Sequence, residues 1–396
     1  MIGILTNMDN PKSKIQNPKL RVGVVFGGRS SEHEVSLMSA RSVMATLDPD
    51  KYEVVPIGVT RSGRWLTGDV LAALEAGVDA NTHPAALLPG SLEPDAAEVP
   101  YALVQLETSE TRPASLSEVT QLDVIFPVLH GPHGEDGTVQ GLLELANIPY
   151  VGAGVVGSAV GMDKAIFKNV MQANGLPILP WRLVLSADWA ERPEAILDEI
   201  EAAFTYPVFT KPANLGSSVG ISKAKNRADL AAGLSEAAHY DRRLLVEQGV
   251  NARELEVAVL GNDRPIASVV GEVRPRREFY DYVAKYISDD SELFIPAPVE
   301  TAVAEEVRRL ALQAFQAIDC AGLGRVDLLL DKDDGRLYIN EINTIPGFTR
   351  ISMYPKLWEA TGISYAELID RLIELALERF EMKSGLERGY DVMRNV

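Results

Sequence analysis

Residues 324–343, GRVDLLLDKDDGRLYINEIN, carry the densest chemistry in the chain. Two apolar runs flank DKDDGR, whose Asp and Gly residues suit a tight hairpin turn. With the hairpin centred on Asp334, Asp327 and Glu341 each lie seven positions away and oppose one another. Arg325 opposes Asn343 by the same count. Side chains alternate along a strand, so Arg325 shares a face with Asp327, and Glu341 shares one with Asn343. One guanidinium, two carboxylates and an amide therefore converge on one patch of sheet. Oxygens at this density suit hard Mg²⁺ ions that bridge nucleotide phosphates. An arginine beside them suits a developing phosphoryl charge. The plain alternative is a solvated face of salt bridges. Against it, the strands are otherwise nearly all apolar, and a buried carboxylate pair needs a cation.

A second signal is PVFTKP followed by ANLGSSVGIS (213–222). Lys211 sits at a strand end, and Gly216, Ser217, Ser218 and Gly220 form a loop of small residues that lets backbone N–H groups approach phosphate oxygens. It is not a P-loop, because no Gly-Lys-Ser/Thr follows at the proper spacing; an ordinary flexible turn is the alternative. Gly152, Gly154 and Gly157 imitate a dinucleotide fingerprint, but no acidic residue stands in 172–181, where one is needed. We read that segment as a close-packed interdomain turn. His130 and His133 in LHGPHGEDG have no further histidine or cysteine near them, which argues for a glycine-rich active-site loop and against zinc. EFYDYVAKY (278–286), with three tyrosines and a lysine in an irregular stretch, suits a lid, or else a surface loop with partly buried rings.

These groups need elements to hold them. The 396 residues are 46 % apolar and 24 % charged, enough for two or three cores. A net charge of −18 argues against nucleic-acid and anionic-membrane partners. The single Cys320 excludes an internal disulfide and reads as a small buried apolar residue. The start is too short and polar for a signal peptide, and no apolar stretch approaches the ~20 residues of a membrane helix. A soluble, cytoplasmic protein is expected.

Residues 1–19 read as a flexible leader. LRVGVVFGG (20–28), a helix over 30–47 and YEVVPIGVT (52–60) give strand–helix–strand, hence a parallel, doubly wound layer. Residues 67–120 have a weak pattern and read as a surface excursion. A strand at 122–130 and a helix at 138–146 complete a first domain, 20–157. A second, 158–245, takes helices at 163–174 and 189–203 and a strand at 207–211. A third, 246–382, starts with LLVEQ and ELEVAVL and holds a helix at 303–318, the hairpin and a helix at 365–380. A tail, 383–396, follows.

Taken together, eight segments in order resemble the D-alanine–D-alanine ligases, an ATP-grasp family. They are GGRSSEHEVSL, LHGPHGEDGTVQGLLEL, GMDKAIFK, TKPANLGSSVGISK, VEQGVNARELEVAVLG, FYDYVAKYIS, GLGRVDLLL and NEINTIPGFTRISMYP, spanning residues 20–355. The resemblance implies an α/β fold of three domains. An N-terminal Rossmann-like parallel layer precedes central and C-terminal ATP-grasp domains that clamp ATP, under a lid at about 272–298. It assigns Lys164 and Lys211 to nucleotide phosphates, and Glu247 with the backbone of Gln248 and Val250 to adenine. Glu254 takes the ribose, and Lys285 the γ-phosphate. Ser217, Ser218, Tyr280 and Asn340 also fall to the nucleotide. Asp327, Glu341 and Asn343 take two Mg²⁺ or Mn²⁺ ions. Glu32 matches the partner of the first D-alanine's ammonium, and Glu32, Ser217 and Tyr286 match a triad that ties down the lid. Arg325 and the Gly347 N–H match oxyanion donors, while His130, Ser352 and Met353 match substrate-binding positions. Met353 replaces a leucine found in some members, a volume-conserving swap.

The activity implied is ATP-dependent joining of two D-alanines through a D-alanyl phosphate, for peptidoglycan precursors, by a homodimer. A sister ligase for D-lactate or D-serine is the nearest alternative; the intact Tyr280, Lys285 and Tyr286 favour D-alanine. An inactive ATP-binding regulator would lack a metal ligand or phosphate lysine, and none is missing.

Overall fold

The computed structural model describes residues 18–77, 81–88, 102–109, 112–275 and 291–386. The leader up to residue 17, most of the tail, and the lid positions Tyr280, Lys285 and Tyr286 lie outside the described residues.

The chain begins with β1 (Leu20–Gly27), α1 (His33–Thr46) and β2 (Tyr52–Val59), and the two strands pair in parallel throughout. Every residue of β1 from Val22 onward is buried, as befits a strand covered on both faces. The stretch expected to be a surface excursion instead extends this sheet. It forms β3 (Trp65–Gly68), α2 (Val70–Ala76), β4 (Thr82–Leu88), β5 (Ala102–Ser109) and β6 (Arg112–Gln121). These strands pair antiparallel, and β7 (Val124–Pro127) returns to pair parallel with β1. The order is β6-β5-β4-β3-β2-β1-β7, so the parallel layer read from the sequence is the β2-β1-β7 portion. Ala102, Leu103 and Val104 are buried, yet this short run is hidden among Ala, Pro and acidic residues that dilute its pattern.

After α3 (Thr138–Leu145), α4 (Val155–Met162) and α5 (Lys164–Ala173) come β8 (Trp181–Leu185), α6 (Ser186–Glu191), α7 (Pro193–Ala203), β9 (Val208–Pro212), β10 (Ser222–Ala224), α8 (Arg227–Ala238) and β11 (Arg243–Gln248). The single acidic helix expected over 189–203 is two, because Pro193 has no N–H to continue a ladder and starts α7. The second sheet runs β10-β9-β11-β8. LLVEQ, expected to open the third segment, is β11 and pairs with β8 and β9. An apolar run says that a strand is buried, not which sheet takes it.

The third sheet, β14-β13-β12-β15-β16, is antiparallel. Its elements are β12 (Ala252–Gly261), β13 (Ile266–Pro275), β14 (Ser291–Phe294), α9 (Thr301–Ala317), β15 (Gly322–Asp331) and β16 (Leu337–Asn343), followed by α10 (Met353–Thr361) and α11 (Tyr365–Ser384). Among the described residues no helix is long and apolar enough to cross a membrane. Cys320 is buried, and burial pushes its thiol pKa up.

Gly152 and Gly157 are packing glycines, whereas a Cβ on Gly154 would meet only Tyr150 Oη at 3.9 Å. A Cβ on Gly157 would lie 2.9 Å from Asp319 O, and one on Gly322, at φ +71°, would meet Gly152 N at 2.9 Å.

One apolar core joins the first sheet to α10 and α11. At its centre Phe348 meets Phe126, Tyr354 and Tyr365, with ring centroids 5.7, 5.9 and 5.6 Å away. Phe348→Ala should therefore cost roughly 3–5 kcal/mol and loosen the 344–349 loop; urea midpoints of the two proteins measure it, and unchanged midpoints would contradict a shared core.

Candidate active site

The hairpin brings its polar groups together in the register read from the sequence: Arg325 pairs with Asn343 and Asp327 with Glu341. Beyond that point the register slips to Leu328↔Ile339, leaving Asn340 as the extra residue of a bulge. The turn end pairs Leu330 with Leu337, so the turn is centred just before Asp334 and the bulge restores the count at the site. The Arg325 guanidinium donates Nε to Asp327 Oδ1 at 2.7 Å and Nη2 to Oδ2 at 2.6 Å. It also lies 3.0 Å from Glu256 Oε2, from the neighbouring strand β12.

A cleft of about 1250 Å³ lies between the second and third sheets, and Asp327, Asn340 and Glu341 form part of its wall. Lys211, Ser218, Glu247, Gln248, Val250 and Glu254 line it too. Gln248 contributes only backbone, because its side chain is spent on the Thr205 backbone and on Pro207 O and Gly249 O.

At the floor of this cleft Glu247 is buried between two lysines, accepting from Lys168 on Oε1 and from Lys211 on Oε2. Lys168 is itself buried and was not singled out in the sequence. Its signal was there: in DKAIFK the two lysines are four residues apart, on one face of α5. Lys164, one turn earlier, donates to Leu215 O at 2.8 Å and lies 3.7 Å from Glu341. Asp163 caps this helix, accepting from the N–H groups of Ala165 and Ile166. Burial alone would raise the Glu247 pKa, but Lys168 and Lys211 outweigh it and bring it down to about 2.

A smaller cavity of about 390 Å³ adjoins the cleft, lined by Glu32, Glu135, Lys164, Ser217, Arg325 and Asn343, and by Gly347, Ser352 and Met353. Ser217 donates to Glu32, tying the small-residue loop to the first sheet. Ser217 and Ser218 stand at φ +52° and +58°, which costs on the order of 1 kcal/mol each and turns this loop over the cavity. Gly131, at φ +74°, and Gly216 have no room for a side chain: a Cβ on either would lie within 2.7 Å of Glu32 Oε2. Ser352 Oγ accepts from the Thr349 N–H at 3.1 Å, shaping the loop beside Gly347.

His130 does not line this cavity. Burial lowers its pKa despite nearby Glu32. The neutral ring then donates Nδ1–H to Ile345 O at 2.9 Å and accepts from Ser39 on Nε2 at 3.0 Å. Ser39 Oγ also accepts from the Phe348 N–H at 3.3 Å. His130 thus holds the 345–348 loop. Glu135, in the GEDG segment, and Glu256 also line the cavity, and the sequence assigns neither a role.

Among the described residues no cluster of three His, Cys, Asp or Glu side chains has the spacing of a metal site. The hairpin offers two carboxylates and an amide, all oxygen donors. That fits a hard cation which takes its remaining ligands from phosphate oxygens and water.

Residues 21–153 and 170–374 match the family models described as D-ala D-ala ligase N-terminus and D-ala D-ala ligase C-terminus. The chain belongs to the D-alanine–D-alanine ligase family. It is 52 % identical over 366 residues to the D-alanine–D-alanine ligase of Heliobacterium modesticaldum, covering 92 % of this chain and 96 % of that one. To that of Geobacillus kaustophilus it is 48 % identical, covering 93 % and 97 %. The solved D-alanine-D-alanine ligase of Coxiella burnetii superposes with a TM-score of 0.74 at 34 % identity, over 92 % and 97 % of the chains. The VanG D-Ala:D-Ser ligase of Enterococcus faecalis gives 0.76 at 33 %, over 91 % and 100 %.

The buried ion cluster of this ligase makes a testable demand. Glu247→Gln leaves Lys168 buried without its carboxylate and should cost roughly 3–5 kcal/mol at pH 7. Because the Glu247 pKa is depressed on folding, its stabilisation is present above about pH 4.5 and lost as pH falls towards 2. Urea midpoints at pH 7 and pH 3 should thus differ less in the variant than in the wild type; an equal difference would refute the assignment.

Proposed function

We propose that this chain joins two D-alanines into D-alanyl-D-alanine, converting ATP to ADP and phosphate. The observation that carries this reading is the meeting of the two cavities: Glu256 and Glu341 line both, with the Arg325–Asp327 pair between them. The larger is roomy enough for a nucleotide and the smaller for amino acids, so a phosphoryl group passing from one to the other crosses the carboxylate–arginine cluster.

In this reading Lys164, Lys211 and the Ser217–Ser218 loop bind phosphates, Glu247 and the backbone through Val250 hold adenine, and Glu254 the ribose. Asp327, Glu341 and Asn343 hold two Mg²⁺ or Mn²⁺ ions, which offset phosphate charge. Asn340, extruded by the bulge, faces the nucleotide. Glu32 receives the first ammonium group. Tyr280, Lys285 and Tyr286 complete the lid by their place in FYDYVAKY. The first D-alanine's carboxylate attacks the γ-phosphorus and ADP leaves. The second amine then attacks the acyl carbon, loses a proton, and phosphate departs. Arg325 and the Gly347 N–H stabilise the tetrahedral oxyanion, and Ser352 and Met353 position the second substrate. Excluding water protects the acyl phosphate from hydrolysis. The three sheets serve as the cores of three domains. The same reading carries a cytoplasmic homodimer supplying a peptidoglycan precursor.

The relatives near 50 % identity are named for D-alanine and the D-serine ligase stands at 33 %, which favours D-alanine as second substrate. Phosphate release with Mg²⁺ and D-alanine alone, D-alanine with D-serine or D-lactate, and L-alanine, with products weighed by mass spectrometry, tests this. D-alanyl-D-alanine from D-alanine alone is expected; turnover only with D-serine or D-lactate would reassign the second substrate, and none at all would sink the reading. Arg325→Met should lower kcat by about 10²–10³ with ATP binding retained, measured by fluorescent-nucleotide titration.

A further inference from the structure

The smaller cavity holds a second carboxylate that none of the roles above uses. Glu135 sits in the loop between β7 and α3, and its side chain is about 6 % exposed. Its Oε1 accepts from the Gly131 N–H at 2.8 Å, whereas Oε2 is buried with no hydrogen-bond donor. The nearby Ile345 N–H donates to Asn343 Oδ1 at 3.0 Å and also leans towards Glu135, favouring its charged form. An orphaned carboxylate oxygen in a dry site is costly unless a donor arrives or a proton occupies it.

The groups around Glu135 are Glu32, from the turn before α1, and Lys164, at the start of α5. His130, in its own loop, is neutral and fully engaged. Across the cavity, Arg325 is committed to Asp327 and Glu256, and Lys164 to Leu215 O and Glu341. No cation among these reaches the Oε2 atom. Of the four glutamates lining the cavity, Glu256 and Glu341 have Arg325 and Lys164, while Glu32 and Glu135 form no ion pair among the described residues, the arrangement in which one carboxyl keeps its proton. Burial, helped by Glu32 and opposed by the backbone N–H groups and Lys164, pushes the Glu135 pKa up to about 8.

We propose that Glu135 is a second carboxylate partner for the ammonium group of the first amino-acid substrate, and that it gives up a proton to solvent when that ammonium arrives. The inference rests on the reading of this cavity as the amino-acid site. The bookkeeping is simple: in the free enzyme the proton of this carboxylate pair sits on Glu135. The incoming ammonium brings one positive charge, the proton on Glu135 departs, and both carboxylates then accept N–H donors from the same nitrogen. One Glu alone satisfies an ammonium's charge but not its three donors. A neutral amide or alcohol in the same place gains nothing from the exchange, so the pair selects for a free amine. Substrate affinity should then rise with pH up to about 8, because binding releases a proton.

Calorimetry reads this directly. D-Alanine is titrated at pH 7 into the enzyme with Mg²⁺ and a non-hydrolysable ATP analogue, in two buffers of different ionisation enthalpy. The wild type should release about one proton on filling the first site. Glu135→Gln should release about none there and bind more weakly. Binding without proton release in the wild type, or the same release from the variant, would overturn the proposal. Absence of any D-alanine binding to the wild type would overturn the amino-acid assignment of the cavity, and this inference with it. Should the variant fail to fold, the wild type alone decides: its infrared difference spectrum on adding D-alanine must lose a protonated carboxylic-acid band, and an unchanged band refutes the proposal.

Discussion

A carboxylate taken out of water needs a cation, a proton or a hydrogen-bond donor, and that requirement arranges the whole site. Glu247 has two lysines, Asp327 and Glu256 share Arg325, Glu341 has Lys164 nearby, and Glu32 has a serine hydroxyl. Arg325 and its two carboxylates lie within the third sheet. Lys168 and Lys164, both on α5, reach to Glu247 in the second sheet and Glu341 in the third, and Ser217 reaches to Glu32 in the turn before α1. The α5 lysines therefore tie the second and third sheets together where the two cavities meet.

The apolar contribution is of another kind. The loop over 344–349 carries Gly347 past the smaller cavity, yet it has no regular structure of its own. It is held by Phe348, sunk among Phe126, Tyr354 and Tyr365, and by polar ties from Ser39 and His130. His130 thereby acts at one remove: it is buried, neutral and fixed in one tautomer, and what it fixes is the backbone beside the cavity. A histidine in a glycine-rich loop invites a ligand-binding reading. Here its burial and its two engaged ring nitrogens give it a role in shaping the loop.

How much was legible depended on whether the information was local. The hairpin pairs Arg325–Asn343 and Asp327–Glu341 could be counted from one turn, because the register of a hairpin is set by its own loop. The count succeeded although the turn lies slightly off Asp334, since the bulge at Asn340 makes up the difference. The strands in 67–120 and the sheet that takes β11 were not legible, because strand pairing across long separations leaves no mark in a short window. Lys168 and Glu135 were missed for a related reason. Each looks like an ordinary charged residue until burial makes it expensive, and burial is a property of the assembled sheets.

An acidic chain that binds a polyanion has to solve its electrostatics locally. With a net charge of −18, the long-range field opposes phosphate. The cationic groups at the cleft are already paired with carboxylates: Lys211 with Glu247, Arg325 with Asp327, and Lys164 near Glu341. A triphosphate entering this cleft exchanges one anionic partner for another, and the displaced carboxylate must find a new one. In the proposed function Lys168 supplies it for Glu247, which would keep one lysine when Lys211 turns towards phosphate. For Asp327 and Glu341 the replacement, in the same proposal, would be a divalent ion arriving with the nucleotide. Cation and nucleotide thus bind best together, since either alone leaves a buried charge without its counterpart.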